Sequence, residues 1–373
     1  MALGTIGTNQ IASAAVTVPK VADQVLSSRN MVINGAQNVA QRSSSVADMG
    51  GSSGYITVDR FKIDTNGASA GRFTMTQTAD GPSGFANCTK LDVTTADTSI
   101  AAGERLFIQY NMEGQDLQRI AKGTSDAQSL TLSFYVKGNA AATYVAGFYD
   151  NDNNRQVSKQ FAVTTSWNRI TLTFPPDTAG ALDDDNASSL QLRFYLHAGS
   201  NYTSGTISET WIAADGTKSV GSGTTSIFDS TNRTFFITGI QLETGTSATP
   251  FEHEDYGTTL RKCQRYLYRL ETESTSGAFA NLTGWSADAT YGPILYPVEM
   301  RSAPALSYGA ALDDFLILSA GTNPLPTAIL SNGSSKRMME LSIWSTGNVV
   351  AGRSYWSRIS DVTNGFIQWD AEL

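Results

Sequence analysis

Charge is scarce in this chain. Only 16% of its 373 residues are Asp, Glu, Lys or Arg, against roughly 25% in an ordinary soluble domain. The few charges lean acidic, 34 against 26, for a net charge of −8. That sign repels phosphate backbones and anionic lipid, so neither nucleic acid nor membrane insertion is expected. No run of roughly 18 apolar residues offers a membrane span. The start, MALGTIGTNQ, has neither the basic opening nor the apolar stretch of a signal peptide, so synthesis in a reducing cytoplasm is expected. Histidine and cysteine occur twice each. Cys88 and Cys263 lie far apart in sequence and are expected as separate buried thiols. Sequence patterns for a serine-hydrolase elbow, a zincin, a zinc ribbon and a P-loop are all missing.

Small polar residues replace the missing charge. Gly, Ser and Thr number 33, 40 and 42. Thr favours strands, while Gly and Ser favour turns and oppose long helices, so the chain reads as all-β. Leu130, Leu132, Phe134 and Val136 alternate with polar neighbours, as do Ile170, Leu172 and Phe174, and Leu190, Leu192, Phe194 and Leu196. Period two means one wet face and one buried face, the pattern of an antiparallel sandwich. Further strands are expected at Tyr55–Ile63, Gly71–Gln77, Leu106–Tyr110, Thr143–Tyr149, Val157–Val163 and Thr234–Leu242, separated by turn clusters. Such a series fits a jelly roll with one enlarged loop at Gly205–Thr231.

The length exceeds one compact core and implies several domains. Residues 1–28 are small, polar and β-branched, with too little apolar surface to fold alone, so they are expected to dock on something else. Residues 29–256 form the jelly roll. Around Gly257 the period changes: Thr258 can cap a helix, and Leu260, Cys263, Leu267 and Leu270 fall at helical spacing. A connecting helix over 257–272 is therefore expected, packed on its own domain or around a symmetry axis. Strand and turn signals return over 273–373, a smaller C-terminal β domain.

Catalytic constellations are hard to find. Glu252, His253 and Glu254 are consecutive and cannot converge on one metal from an extended backbone. A carboxylate pair for glycoside hydrolysis needs only two acids about 5 to 10 Å apart, and nothing singles one out. Asp150, Asp152 and Asn154 have D-x-D-x-N spacing, which suits an oxygen-ligated calcium ion, although the EF-hand glycine and distal Glu are missing. Asp and Asn are also default turn residues. No other cofactor is expected. Aromatic rings crowd the last hundred residues: Trp285, Tyr291, Tyr308, Trp344, Tyr355, Trp356 and Trp369. Rings of this kind stack on the apolar faces of sugars, and at least half should instead be core. Trp285 and Trp344, flanked by Gly, Ser and Thr, are the two expected to be exposed for receptor or glycan contact.

Several segments together carry a resemblance. RNMVINGAQNVAQR at Arg29–Arg42 is followed by YITVDRFKI, SFYVK and WNRITLT, and then by FITGIQLETGTSATPFEHEDYGTTLRKCQRYLY at Phe236–Tyr268. With YPVEMRSAP at Tyr296–Pro304 and the closing QWDAEL, these resemble the tail fibre-like virion proteins of tailed bacteriophages. The resemblance implies a carbohydrate-binding-module-like jelly roll, a homotrimer, a place on the virion, and an N-terminal attachment or trimerisation segment at 1–28 that meets other virion proteins. The function expected first is a non-enzymatic fibre contacting host surface glycan. The alternatives are a structural head-attached decoration protein and a capsule or lipopolysaccharide depolymerase. The depolymerase reading lacks the repeats of a long β-helix.

Overall fold

The computed structural model describes residues 28–67, 69–271, 277–309, 311–319, 324–361, 363 and 365–373. The attachment segment expected at 1–28 thus lies, except for Ser28, outside the described residues. The chain divides into two compact units. The first holds residues 28–38, 45–56 and 61–254; the second holds 39–44, 57–60 and 255–373.

Strands of the first unit are, in chain order, β1 (Ser45–Met49), β2 (Gly54–Tyr55), β3 (Phe61–Asn66), β4 (Arg72–Thr78), β5 (Cys88–Thr95), β6 (Arg105–Glu113), β7 (Leu130–Gly138), β8 (Ala142–Asp150), β9 (Arg155–Val163), β10 (Asn168–Phe174), β11 (Ser188–Ala198), β12 (Ile212–Ala213) and β13 (Thr234–Thr244). They form a six-stranded sheet, β1-β4-β5-β13-β7-β10, and a seven-stranded sheet, β12-β9-β8-β11-β6-β3-β2. Neighbours in both sheets run antiparallel. The expected all-β jelly-roll sandwich is present. Inward residues of both sheets meet at Phe134, whose ring packs edge-on against Phe194 at 5.1 Å and Phe161 at 5.0 Å. Each such buried ring contributes about 1.5–3 kcal/mol through burial. The loop over 205–231 carries β12 and two short 3-10 turns.

The Q-L-E run has a structural purpose. Gln241 is fully buried; its amide donates to Thr249 Oγ1 at 3.1 Å and to the Pro250 carbonyl at 3.2 Å. Glu243 accepts from the Thr249 amide at 2.8 Å and from its hydroxyl at 2.7 Å. Glu252 in turn accepts from the Asn30 amide at 2.8 Å, and Asn30 Oδ1 accepts from the Leu242 amide at 3.0 Å. These bonds satisfy buried polar groups and close the turn after β13. Within β13 the register shifts between Thr238 and Gln241. There Gly239 has φ +61°, and a Cβ would come within 2.8 Å of the Phe85 and Tyr135 rings, so the bulge requires glycine.

Among the described residues the second unit holds one α-helix, Tyr256–Gln264, and strands β14 (Leu267–Glu271), β15 (Ala278–Gly284), β16 (Ala289–Leu295), β17 (Ala305–Gly309), β18 (Phe315–Leu318), β19 (Ala328–Ser334), β20 (Met338–Trp344), β21 (Ser354–Ile359) and β22 (Phe366–Asp370). They pair as β14-β22-β17 and as β18-β21-β15-β16-β20-β19. Trp369, Met339, Tyr355, Phe315 and Leu341 belong to its core. Free thiols Cys88 and Cys263 are both buried, one in each unit.

Two expectations change here. The helix expected over 257–272 ends at Gln264, and its cap is Asp255, whose side chain accepts from the Thr258 amide at 2.9 Å. Leu267 and Leu270 lie on β14, paired with Asp370 and Ile367, so no helical stripe exists. Nine residues make a marginal helix alone, while β14 gains a full ladder from the chain's closing segment. Residues 39–44 and 57–60 group with the second unit rather than the jelly roll. Arg42 reaches Asp370 at 2.8 Å, Gln41 donates to the Leu267 carbonyl at 2.9 Å, and Arg60 pairs with Glu372. Among the described residues no helix is long and apolar enough to cross a membrane.

Candidate functional site

The six-stranded sheet of the second unit buries one face and exposes the other. Along β16 and β20, Ile294, Met339, Leu341 and Ile343 point into the core, whereas Leu295, Met338 and Trp344 are exposed. Period two sets this division. The exposed face is unusually apolar, with Trp285 75%, Trp356 57% and Trp344 36% exposed.

Trp285 follows β15 on a fixed backbone. Its amide donates to the Ala289 carbonyl at 2.9 Å, and Ser286 Oγ accepts from the Asp288 amide at 3.1 Å. Asp288 also accepts from the Gly347 amide at 2.7 Å. Gly284 lets the 350s pass closely, since a Cβ there would stand 2.2 Å from the Val350 carbonyl oxygen. The Trp285 ring meets Tyr291 at 5.9 Å and 64°. Together with Thr283, Pro293, Met338 and Glu340 they line an open groove of about 650 Å³. It offers two aromatic rings, apolar flanks, two hydroxyls and one carboxylate, a set that can stack on a flat ring and hydrogen-bond its polar rim. Trp344 does not line this groove. It pairs across the sheet with Ala289, the residue that also receives the Trp285 amide, so the two tryptophans flank one strand. Of the seven rings only Trp369 and Tyr355 are core, fewer than the half expected; Tyr291 and Tyr308 are half-buried, and Trp356 is exposed along with Trp285 and Trp344. Sequence reasoning did not find Met338, Glu340 or Pro293. The alternation in MMELSIW and ATYGPIL carries the signal.

Asp150, Asp152 and Asn154 each take a different partner within the chain. Asp150 is fully buried and pairs with Lys122 at 2.5 Å. That ammonium also touches Asp177 at 3.1 Å and donates to the Ala179 and Gly180 carbonyls at 2.9 and 2.8 Å. Burial works against the charge of Asp177, but Arg155, the Ala179 amide and Lys122 outweigh it and hold its carboxyl below the usual range. Asp152 accepts from the Asp183 amide, and Asn154 accepts from the Tyr149 hydroxyl at 2.7 Å. Among the described residues no group of three His, Cys, Asp or Glu side chains is placed to hold a metal ion.

The histidines are also engaged. His253 packs its ring on Phe85 and Phe251, while the neighbouring Glu252 carboxylate accepts main-chain amides. His197 is buried between Ser226 Oγ at 2.7 Å and Glu104 at 3.2 Å. Burial lowers its pKa despite Glu104 and Asp97.

No protein-family model matches the sequence, and no curated protein matches it. Among solved structures, a family 11 carbohydrate-binding module from Clostridium thermocellum in complex with a β-1,3-1,4-mixed-linked tetrasaccharide is 12% identical, with TM-score 0.28 over 55% of this chain and 99% of that one. TmCBM61 in complex with β-1,4-galactotriose is 7% identical, with TM-score 0.30 over 58% of this chain and 99% of that one. The enzymatically active domain of bacteriophage CBA120 tailspike protein 4 is 13% identical, with TM-score 0.30 over 58% of this chain but 21% of that one.

Proposed function

We propose that this chain is a non-enzymatic, homotrimeric tail fibre protein of a tailed bacteriophage, and that the outer sheet face of its second unit contacts glycan on the host surface. The observation that carries the glycan reading is the exposed Trp285–Tyr291 pair over an open groove. Solvent exposure of a large ring costs free energy that only a bound partner recovers. The virion reading is supported by the resemblance running from Arg29 to the closing QWDAEL. The acidic net charge fits a partner other than nucleic acid. Among the groove-lining residues Glu340 is the sole carboxylate, and glycoside hydrolysis requires two, which favours binding over cleavage. Stacking and hydrogen bonding need no metal.

The experiment is adsorption of the purified full chain to host cells and to their extracted surface polysaccharide. Replacement of Trp285 by Ala is expected to weaken binding at least tenfold with an unchanged melting temperature. Binding unchanged in Trp285→Ala overturns the assignment to this groove. Light scattering on the same sample is expected to give about three times 39.9 kDa, and a monomer across micromolar concentrations overturns the trimer. Labelling of virions with an antibody against the chain reads whether it sits on the tail.

A further inference from the structure

A second hollow lies on the same sheet face and differs in charge. β21 places Ser354, Trp356 and Arg358 in one outward line, because alternate residues share a face. On the neighbouring β18, Leu318 pairs with Trp356 and Leu316 with Arg358. On the other side Asn281 pairs with Trp356, and its side-chain oxygen accepts from Ser354 Oγ at 2.6 Å. Leu318, Ser319, Ser354, Trp356 and Arg358 enclose about 280 Å³, room for a single sugar residue.

Arg358 is the informative residue. Four other arginines of this unit have carboxylate partners, Arg42 with Asp370, Arg60 with Glu372, Arg269 with Glu271 and Arg337 with Glu299, and Arg301 donates to the Ala371 and Glu372 carbonyls. Among the described residues no acid pairs with Arg358, and its Nε is buried without a hydrogen-bond partner. A buried donor left unmade is costly, and acids outnumber bases in this chain, so the vacancy is not forced by composition. A half-buried guanidinium beside a 57% exposed tryptophan presents a planar fork for an anion and a flat face for a ring.

We infer that this hollow is a subsite for an anionic sugar residue, one that carries a carboxylate or phosphate, with Trp356 stacking on the ring and Arg358 taking the anion. The inference rests on the glycan reading of this face. Trp356 and Tyr291 lie on strands separated only by β15, roughly 10 Å apart at ~4.8 Å per strand, so one oligosaccharide can engage both.

The test uses the full chain and calorimetric titration with gluco-, galacto- and manno-configured trisaccharides, each as the neutral sugar and as its C6-oxidised uronate. At least one uronate is expected to bind about tenfold more tightly than its neutral counterpart, with the advantage shrinking at high salt. Arg358→Gln is expected to abolish that preference while leaving neutral-sugar affinity and melting temperature unchanged, and Arg358→Lys to keep part of it. Trp356→Ala should weaken the uronate. Displacement of the uronate by mannose 6-phosphate extends the subsite to phosphate, and failure to displace confines it to carboxylate. A preference that survives Arg358→Gln overturns the inference. Equal binding of both series with loss in Trp285→Ala overturns the subsite alone, whereas no binding in either series overturns the glycan reading as well.

Discussion

The guanidinium of Arg60 lies 3.3 Å from the centroid of the Tyr266 ring, and its NH1 donates to Glu372. Both Arg60 and Tyr266 are essentially inaccessible to solvent, at 1% exposure each. A residue from the first sixth of the chain thereby fills the core side of the last.

Arg60→Met removes a desolvated cation–π contact and one partner of a buried ion pair. A loss of about 3 kcal/mol in the stability of the second unit is expected, read by denaturant unfolding with Trp369 as the fluorescent reporter. A loss below the error of the method would show that Arg42 alone satisfies Glu372.

Lys122→Met leaves Asp150 charged, buried and without its ammonium. Destabilisation of about 3–5 kcal/mol is expected. Because Lys122 already supplies the cation for Asp150, a calcium chelator should leave the melting temperature of the wild-type chain unchanged. A drop on chelation that calcium reverses would restore the calcium expectation for Asp150, Asp152 and Asn154 by mass action.

Asp59 titrates in the opposite sense to most acids. Burial raises its carboxyl to about 6, against the bonds from Gln41 and the pull of Arg42, whereas the unfolded value is roughly 3.9. Between these values the folded chain binds more protons, so the contribution of Asp59 is present in full below pH ~4 and is lost as pH rises through 6. The stability difference between wild type and Asp59→Asn should therefore shift against the wild type by about 2 kcal/mol from pH 4 to 7. A difference that stays flat over this range would mean that Asp59 is already ionised in the folded chain at pH 4.

Gly239→Ala must adopt a positive φ and push into Phe85 and Tyr135. A cost of about 2–4 kcal/mol is expected from strain and overpacking. A change within ±0.5 kcal/mol would show that β13 can lose its bulge.

The sandwich was legible because its strands alternate apolar and polar residues, even where, as at Thr131 and Ser133, the polar face is itself buried. β7, β10 and β11 alternate cleanly, and the pairing of Ile170 with Phe134 and of Leu172 with Leu132 keeps like faces together. β5 escaped notice because Thr89 takes an inward, fully buried position and donates to Gln37, which breaks the apolar alternation. Exposure of Trp285 was readable from Gly284 and Ser286. The chemistry around it was not, since Tyr291 and Glu340 arrive from separate strands through register alone. The helical stripe at Leu260–Leu270 failed because spacing counts leucines without knowing that Phe366–Asp370 waits to pair with them. Long-range pairing of Arg42 and Arg60 with Asp370 and Glu372 leaves no local pattern to read.

That last pairing also orders events in time. The first unit has its whole set of strands once Thr244 has been made, and units fold N-terminal first during synthesis. The second unit has no β22 ladder for β14 and no acid for Arg60 until Asp370 and Glu372 leave the ribosome. Gln41, Arg42, Asp59 and Arg60 emerge more than three hundred residues before those partners and must stay available while the sandwich closes. A chain stalled short of residue 370 would carry a finished jelly roll and an open sheet edge along β14, the kind of exposed ladder that recruits another chain.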